Sequence, residues 1–577
     1  MATELLLKEK TRTADAILQV LAEAGIDMVF GISGGHTGRL FTALANHQNE
    51  IRTLTVRHEA LAGVMAEVYG RLTRKPGVII GQGPWVLGNG LLGTMEALLS
   101  SSPMLLLTDF SDSPGFNLHG PYQAGTGDYG VWNARQAFAG VTKQVFEAND
   151  PASGVQATQL AIKHALSGQP GPVAVLYASA GLAGSVDADT RPRLYRTRNY
   201  LPRAAQPVDP QQISLAAQAI AAASKPVIIA GNGVRIANAY VALSAFAEAS
   251  GIPVVTTASG KGCFREDHDL ALGVFGTFGI AAANAAVAAA DLVIVVGSKL
   301  GASDTARENP ALLDAARQTF MQIDVEPRNA SWTFPAEHVL IGDAGVALNQ
   351  LRTVLQTEVG LHADVGLRAA GAARVAGIRA EHGYFDSPAY AASSVPVLPQ
   401  RVIGALHRAL PADSIVTCDA GENRILMTHF YQTRSAGGFM QAAGAGPMGF
   451  AIPAALAAKL VHPERVVVAV CGDGGFAMTM NGMMTAIEHN IPIINVVFNN
   501  HALGWVLHGG GAFAAEFNDF DHGAIARSMG CFGVRVTEPA ELEQAIAAAI
   551  ASGKPAVIDV VTSLEVSFRD VTSPLAQ

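Results

Sequence analysis

Two short polar clusters near the C-terminal end carry residue types that hold a divalent cation against a diphosphate. The first is Cys471-Gly472-Asp473-Gly474-Gly475-Phe476, entered from the apolar run Val466–Val470. The second is Asn499-Asn500, twenty-six residues beyond Asp473 and entered from Ile493–Phe498. Asp473 offers a carboxylate oxygen and Asn500 an amide oxygen, both hard ligands of the kind Mg²⁺ prefers. Phosphate oxygens, a backbone carbonyl and water complete such a shell. Gly472, Gly474 and Gly475 let the backbone come close to phosphate. A lone Gly-Asp-Gly is most often a tight turn. Strand, Gly-Asp-Gly, helix, strand and Asn-Asn in this order is far more specific.

Three segments, each alternating helical patterns with short Val/Ile/Leu-rich strands, must position these residues. Such alternation marks parallel sheets covered by helices. The first segment ends near residue 187, with strands at Met28–Phe30, Gly77–Ile80, Met104–Thr108 and Val173–Leu176. A charged stretch bearing Pro and Arg, 188–208, reads as a linker. The second segment, 209–360, has strands at Pro226–Ala230, Pro253–Thr256, Leu292–Val296 and Thr319–Ile323. Polar and Gly/Ala-rich sequence over 361–399 connects it to the third, 400–577, with strands at Ser414–Cys418, Arg465–Val470, Ile493–Phe498 and Ala556–Val561. The fold class expected is α/β, with three doubly wound parallel-sheet domains.

A chain of 577 residues exceeds what one core supports and suits three domains. Charged residues make up only 15%, which favours large buried sheets and a subunit interface. The net charge of −9 comes without a basic cluster, so nucleic acid is not an expected partner. Met1–Arg12 is charged and lacks the apolar core of a signal peptide. The run Ala281–Val296 is interrupted by Asp291 and reads as a helix followed by a buried strand, so no membrane association is expected. Cys263, Cys418, Cys471 and Cys531 lack metal-ligand spacing and read as buried thiols of a cytoplasmic protein.

The Gly-Asp-Gly and Asn-Asn pair, in its strand context, resembles the signature of thiamine diphosphate (ThDP) enzymes, in particular acetolactate synthases and benzaldehyde lyases. The resemblance covers nearly the whole chain. It implies pyrimidine-binding (1–187), central (209–360) and diphosphate-binding (400–577) domains, with the first and third facing each other across a homodimer or homotetramer interface. It also implies ThDP and Mg²⁺ as cofactors, with Asp473, Asn500 and the backbone carbonyl of Ala502 as metal ligands. Leu503 and Gly504 follow in the same turn. Val56-Arg57-His58-Glu59 leads into an Ala/Gly-rich helix. In the family the Glu at this place meets the aminopyrimidine ring, which requires a dry carboxyl group with a fixed proton-sharing partner. Glu59 is the matching residue; Glu67 reads as an ordinary helix residue. Met448, in Gly444-Ala445-Gly446-Pro447-Met448-Gly449, matches the side chain that wedges between the cofactor's rings. The Gly446 carbonyl would accept from its amino group. Asp419-Ala420-Gly421-Glu422-Asn423 resembles the loop that touches the diphosphate. Relatives often carry Gln where Glu422 stands, and an anion is unfavourable there unless it turns away. The contact is therefore assigned to backbone groups and Asn423.

The substrate side is less specific. Gly31-Ile32-Ser33-Gly34-Gly35-His36 lacks dinucleotide-fingerprint spacing. A matching loop in benzaldehyde lyases carries a His facing the reactive carbon, and Tyr122-Gln123-Ala124-Gly125 resembles a Leu-Gln-Ala-Gly stretch there. His36 and Gln123 are thus the candidates for handling a substrate carbonyl, with His119 a nearby substitute. Trp85 stands where the family has a small residue and could line the substrate pocket. Trp505 and His508 are placed in that pocket too. Gly509 stands where acetolactate synthases carry a Trp that helps select the second oxo acid. Gly509-Gly510-Gly511 would make a mobile rim. Gly231-Asn232-Gly233 and Gly297-Ser298 lie where synthases bind FAD, and several relatives use such loops for nothing comparable. The expected activity is making or breaking a carbon–carbon bond beside a carbonyl, on small 2-oxo acids, aldehydes or hydroxy ketones. The alternatives are a diketone- or acyloin-cleaving enzyme, an FAD-containing oxidase, and a non-catalytic ThDP-binding subunit.

Overall fold

The structure is a computed structural model that describes residues 4–111, 123–202, 204–358 and 365–576. The chain divides into two compact units, Met1–Ala204 with Leu456–Val461, and Ala205–Ala455 with His462–Gln577. The first unit holds one six-stranded sheet and the second holds two.

The first sheet contains β1 (Met28–Gly31), β2 (Arg52–Thr55), β3 (Gly77–Gly81), β4 (Met104–Ser111), β5 (Gln144–Ala148) and β6 (Pro172–Ala178). Its order is β2-β1-β3-β4-β6-β5, and every pairing is parallel. The central sheet contains β7 (Val227–Ala230), β8 (Val254–Thr256), β9 (Ala271–Val274), β10 (Leu292–Val296), β11 (Thr319–Asp324) and β12 (His338–Ile341), in the order β9-β8-β7-β10-β11-β12. The last contains β13 (Ile415–Cys418), β14 (Phe439–Gln441), β15 (Val467–Gly472), β16 (Ile494–Asn499), β17 (Phe532–Val536) and β18 (Ala556–Val561), in the order β14-β13-β15-β16-β18-β17. The expected α/β class with three parallel sheets is what the chain forms.

The interior strands read as unbroken apolar runs because helices cover both faces. In β10, Leu-Val-Ile-Val-Val, all five residues are buried. The helices between strands are started by local chemistry. Asp150 caps Pro151–Leu166 in a reciprocal capping box with Ser153, and Asp209 caps Pro210–Ala222. The first and last sheets share one strand order, second-first-third-fourth-sixth-fifth. Crossovers leave in opposite directions between the first and third strands, the switch point where open α/β sheets bind ligands beyond their strand C-termini. In the first sheet that point lies between β1 and β3, and in the last between β13 and β15.

Six strands of these three sheets were not singled out in the sequence: β2, β5, β9, β12, β14 and β17. All six are sheet edges. The stretch 361–399, expected as a connection, contains the helix Val365–His382, whose Val375 is fully buried in the core beside β10. Arginines and glycines mask its apolar face, but the Arg379 guanidinium is used in folding and bonds the carbonyls of His268 and Ala271. All four cysteines are buried, as expected. No helix among the described residues is long and apolar enough to cross a membrane.

Candidate active site

Parallel register closes the gap between the two opening motifs. β15 pairs with β16 so that Gly472 faces Phe498, and Asp473 and Asn500 therefore emerge from neighbouring strand ends. Asp473 begins the helix Asp473–Thr479 and is 5% exposed. Its Oδ1 accepts from the Gly474 amide at 2.8 Å, and its Oδ2 has no hydrogen-bond partner. Burial pushes the carboxyl up to about 6, an effect that the amides of Gly474, His501 and Ala502 only partly offset. Asn500 Oδ1 accepts from the Ala502 amide at 3.1 Å. Asn499 serves the fold instead: its Nδ2 donates to Asp559 Oδ1 (2.9 Å) and to the Phe520 carbonyl (3.2 Å).

β13 lies beside β15 and delivers Asp419, which is fully buried. The Asp419 carboxylate accepts from the amides of Ala420 (2.7 Å), Gly449 (2.9 and 3.1 Å) and Ala451 (3.4 Å). Burial pushes this carboxyl up to about 6 as well, against those amides. Asp419 thereby fixes the segment carrying Gly446 and Met448. Met448 Cε comes within 3.1 Å of where a Cβ on Gly474 would stand, with Leu503 Cδ2 at 3.0 Å and Phe517 Cε2 at 3.3 Å. A Cβ there would press on that apolar cap over the Asp473 turn. Asn423 Oδ1 faces Gly472, and its Nδ2 donates to the Asp419 carbonyl at 3.4 Å.

Glu422 follows Gly421 as the first residue of the helix Glu422–Phe430. Its carboxylate accepts from the Phe568 amide (2.7 Å) and meets His508 Nδ1 at 2.9 and 3.1 Å. The carboxylate therefore faces His508. The His508 ring, expected in the substrate pocket, has its Nδ1 on Glu422 and its Nε2 on the Leu564 carbonyl (3.1 Å), so both nitrogens are committed to the fold. Trp505 stacks on Phe568 with ring centroids 4.0 Å apart and meets Phe278 edge-on. These contacts carry a helix from Gly504 through Gly510 despite the low helical preference of its glycines. Two of the three rim glycines are therefore helical, and only Gly511 lies beyond the helix.

In the first unit, Glu59 opens the helix Glu59–Thr73 and is 9% exposed. Its Oε2 accepts from Asn89 Nδ2 at 2.9 Å, and the His58 ring caps the helix by accepting from the Ala60 amide. Glu67 is not an ordinary helix residue. It is fully buried, bonded to Arg71 and Ser102, and shares Arg71 with Glu96 on the helix Leu91–Ser100. Desolvation raises its pKa against the pull of Arg71. His36 follows β1, and its Nδ1 lies 2.9 Å from Asp109 Oδ2 on β4. Asp109 Oδ1 accepts from the Gly83 amide. Gln82, after β3, donates to Gln123 Oε1 and packs where Gly34 would carry a Cβ. His36 and Gln123 are thus both served by residues at the C-terminal end of the first sheet. Trp85 is 47% exposed on the short helix Gly83–Gly88. Tyr122 and His119 lie outside the described residues.

In the central sheet, the loops after β7 and β10 bond to each other, the Gly233 amide donating to the Gly297 carbonyl at 2.9 Å. Sequence reading missed Asp419, Asp559, Asp109, Asn89 and Gln82 as organising residues. Asp559 had a signal, an acid inside the apolar strand Ala556–Val561; Asp419 and Asp109 had one too, as acids at the ends of apolar strands.

The donor set suits a hard cation that a diphosphate helps to hold. Among the described residues no three His, Cys, Asp or Glu side chains converge on one ion position. A buried carboxylate with an unpartnered oxygen beside an amide oxygen supplies part of an oxygen shell and leaves the remainder for phosphate and water.

Residues 11–125, 213–351 and 419–560 match, in turn, the families described as thiamine pyrophosphate enzyme N-terminal TPP binding domain, central domain and C-terminal TPP binding domain. The acetolactate synthase large subunit of Corynebacterium glutamicum is 30% identical over 570 residues, covering 96% of this chain and 87% of that protein. The probable acetolactate synthase large subunit of Methanocaldococcus jannaschii is 29% identical over 563 residues, covering 95% and 91%. A putative thiamine pyrophosphate-containing protein of Bacillus subtilis, YdaP, is 28% identical over 560 residues, covering 95% and 91%.

Proposed function

Because the chain belongs to the thiamine pyrophosphate enzyme family and is a ThDP-dependent enzyme, we propose that it catalyses acetolactate-type carboligation, joining a fragment of a 2-oxo acid to an acceptor aldehyde or ketone. The observation that carries the cofactor end of this reading is the buried Asp473 carboxylate, whose Oδ2 has no partner, beside Asn500 and Ala502. Asp473, Asn500 and the Ala502 carbonyl would hold Mg²⁺. Gly421, Asn423, Gly472, Gly474, Gly475 and Gly504 would border the diphosphate, with Met448, fixed through Asp419, bracing the rings and Gly446 accepting from the amino group. Bound ThDP supplies a nucleophilic carbon and an electron sink, which let a carbonyl carbon be detached from or joined to its neighbour.

This chain's residues do the rest. Glu59, held by Asn89, would exchange a proton with the pyrimidine ring of the bound cofactor. His36, anchored through Nδ1 by Asp109, exchanges protons through Nε2 with a substrate oxygen. Gln123, anchored by Gln82, hydrogen-bonds the same group. Gly509 in place of a bulky residue favours a second reading, the reverse cleavage of a hydroxy ketone. Apolar side chains exposed on the helix Leu91–Ser100 (Leu91, Leu99) and after Asp473 (Met478, Met484) support a homodimer or larger homo-oligomer. Purified protein supplied with ThDP, Mg²⁺, pyruvate and a panel of acceptor aldehydes and oxo acids tests the reaction. Chiral product analysis should find a hydroxy ketone or acetohydroxy acid formed with CO₂. Cleavage of hydroxy ketones without ligation would favour the second reading, and neither reaction would refute both.

A further inference from the structure

Glu422 sets a carboxylate beside the turn that the proposed function assigns to the diphosphate. Its Oε2 lies 2.5 Å from the position a Cβ on Gly504 would take, and Asn500 Nδ2 lies 3.2 Å from the same point. An uncompensated anion there would repel the cofactor's diphosphate. Glu422 is instead met by His508 Nδ1 at 2.9 and 3.1 Å and by the Phe568 amide at 2.7 Å. The remaining His508 nitrogen lies 3.1 Å from the Leu564 carbonyl. An acceptor stands at each ring nitrogen, so the imidazole is placed to donate to Glu422. The Glu422 and His508 side chains are 7% and 16% exposed, so water screens the pair little.

We propose that His508 is a charge-compensating positioning residue for the diphosphate end of the cofactor site. It cancels the Glu422 charge at the Asn500 turn and, through the same contact, fixes the helix Gly504–Gly510 that follows the turn. The pair is built from residues 86 positions apart, and its third partner, Phe568, also stacks on Trp505 of that helix. The inference rests on ThDP and Mg²⁺ occupying this site.

Calorimetric titration of ThDP into the full chain with Mg²⁺ present tests it, using the wild type, H508Q, E422Q and the double variant. H508Q strands the anion and should weaken ThDP binding by about tenfold or more, about 1.4 kcal/mol per decade. E422Q removes the anion and should bind ThDP within about twofold of the wild type. The double variant, with no charge left to compensate, should recover to within about threefold. Equal weakening by both single variants, or a double variant at least as weak as H508Q, would overturn the proposal. Should H508Q fail to fold, E422Q decides alone, because a tenfold loss there contradicts charge compensation. Absence of ThDP binding to the wild type would instead overturn the cofactor reading, and this inference with it.

Discussion

Replacing Asp473 by Asn should stabilise the ligand-free protein at alkaline pH while removing Mg²⁺-dependent ThDP binding. The carboxylate is 5% exposed, its Oδ2 has no partner, and burial lifts its pKa from 3.8 to about 6. In the unfolded chain the same group ionises near 4. Between these values the folded state binds the extra proton, so this group's contribution to stability is complete at low pH and is lost as pH rises through about 6. The full span is worth ~3 kcal/mol, and about half of it, ~1.4 kcal/mol, is lost between pH 5 and pH 8. Asn has no charge to desolvate. Its buried amide adds a cost of ~1–3 kcal/mol, but a pH-independent one. The measurement is the urea unfolding free energy of both proteins in EDTA at pH 5 and pH 8. Titrating groups that do not interact with Asp473 cancel in the difference between them. That difference should move in favour of D473N by ~1.4 kcal/mol from pH 5 to pH 8. A difference that is flat with pH, or that moves toward the wild type, would refute a desolvated carboxylate at this position.

Glu59→Gln should lower kcat by about 10²- to 10⁴-fold while ThDP affinity measured by calorimetry stays within a few fold, since its role is proton exchange. His36→Ala and Asp109→Asn should each lower kcat/KM, and the double variant should be no worse than His36→Ala, because Asp109 acts through His36; additive losses would separate them. Asp419→Ala leaves the Ala420 and Gly449 amides without their acceptor, each at a cost of ~1–3 kcal/mol. It should lower the thermal midpoint and raise proteolytic cleavage within 444–450, whereas an unchanged midpoint would deny Asp419 its place as the fastener of that segment.

The ligand-bearing turns were legible because their chemistry restricts residue type and because each follows an interior strand. An interior strand is buried on both faces, so β6 and β10 read as apolar runs with sharp ends. Two edge strands lose that signature: β2, Arg-Thr-Leu-Thr, buries only Leu54 fully, and β17 buries only Val536. The doubly wound topology gathers residues that no local pattern connects. Asp109 reaches His36 across 73 positions, and Glu422 reaches His508 across 86. Glu422 could be recognised as an anomaly from its neighbours in sequence, but its counter-charge could not. Glu67 illustrates the opposite limit. An acid at helical spacing from Arg71 looks like a solvated pair, and only the packing of Leu91–Ser100 against that helix makes it a buried one.

Equilibrium binding of ThDP to the purified chain, with and without Mg²⁺, tests the central claim most directly. The account predicts one ThDP per chain, binding that depends on Mg²⁺, and loss of that dependence in both Asp473→Asn and Asn500→Ala. Binding of equal strength without the metal and in both variants, or no binding at all, would contradict it.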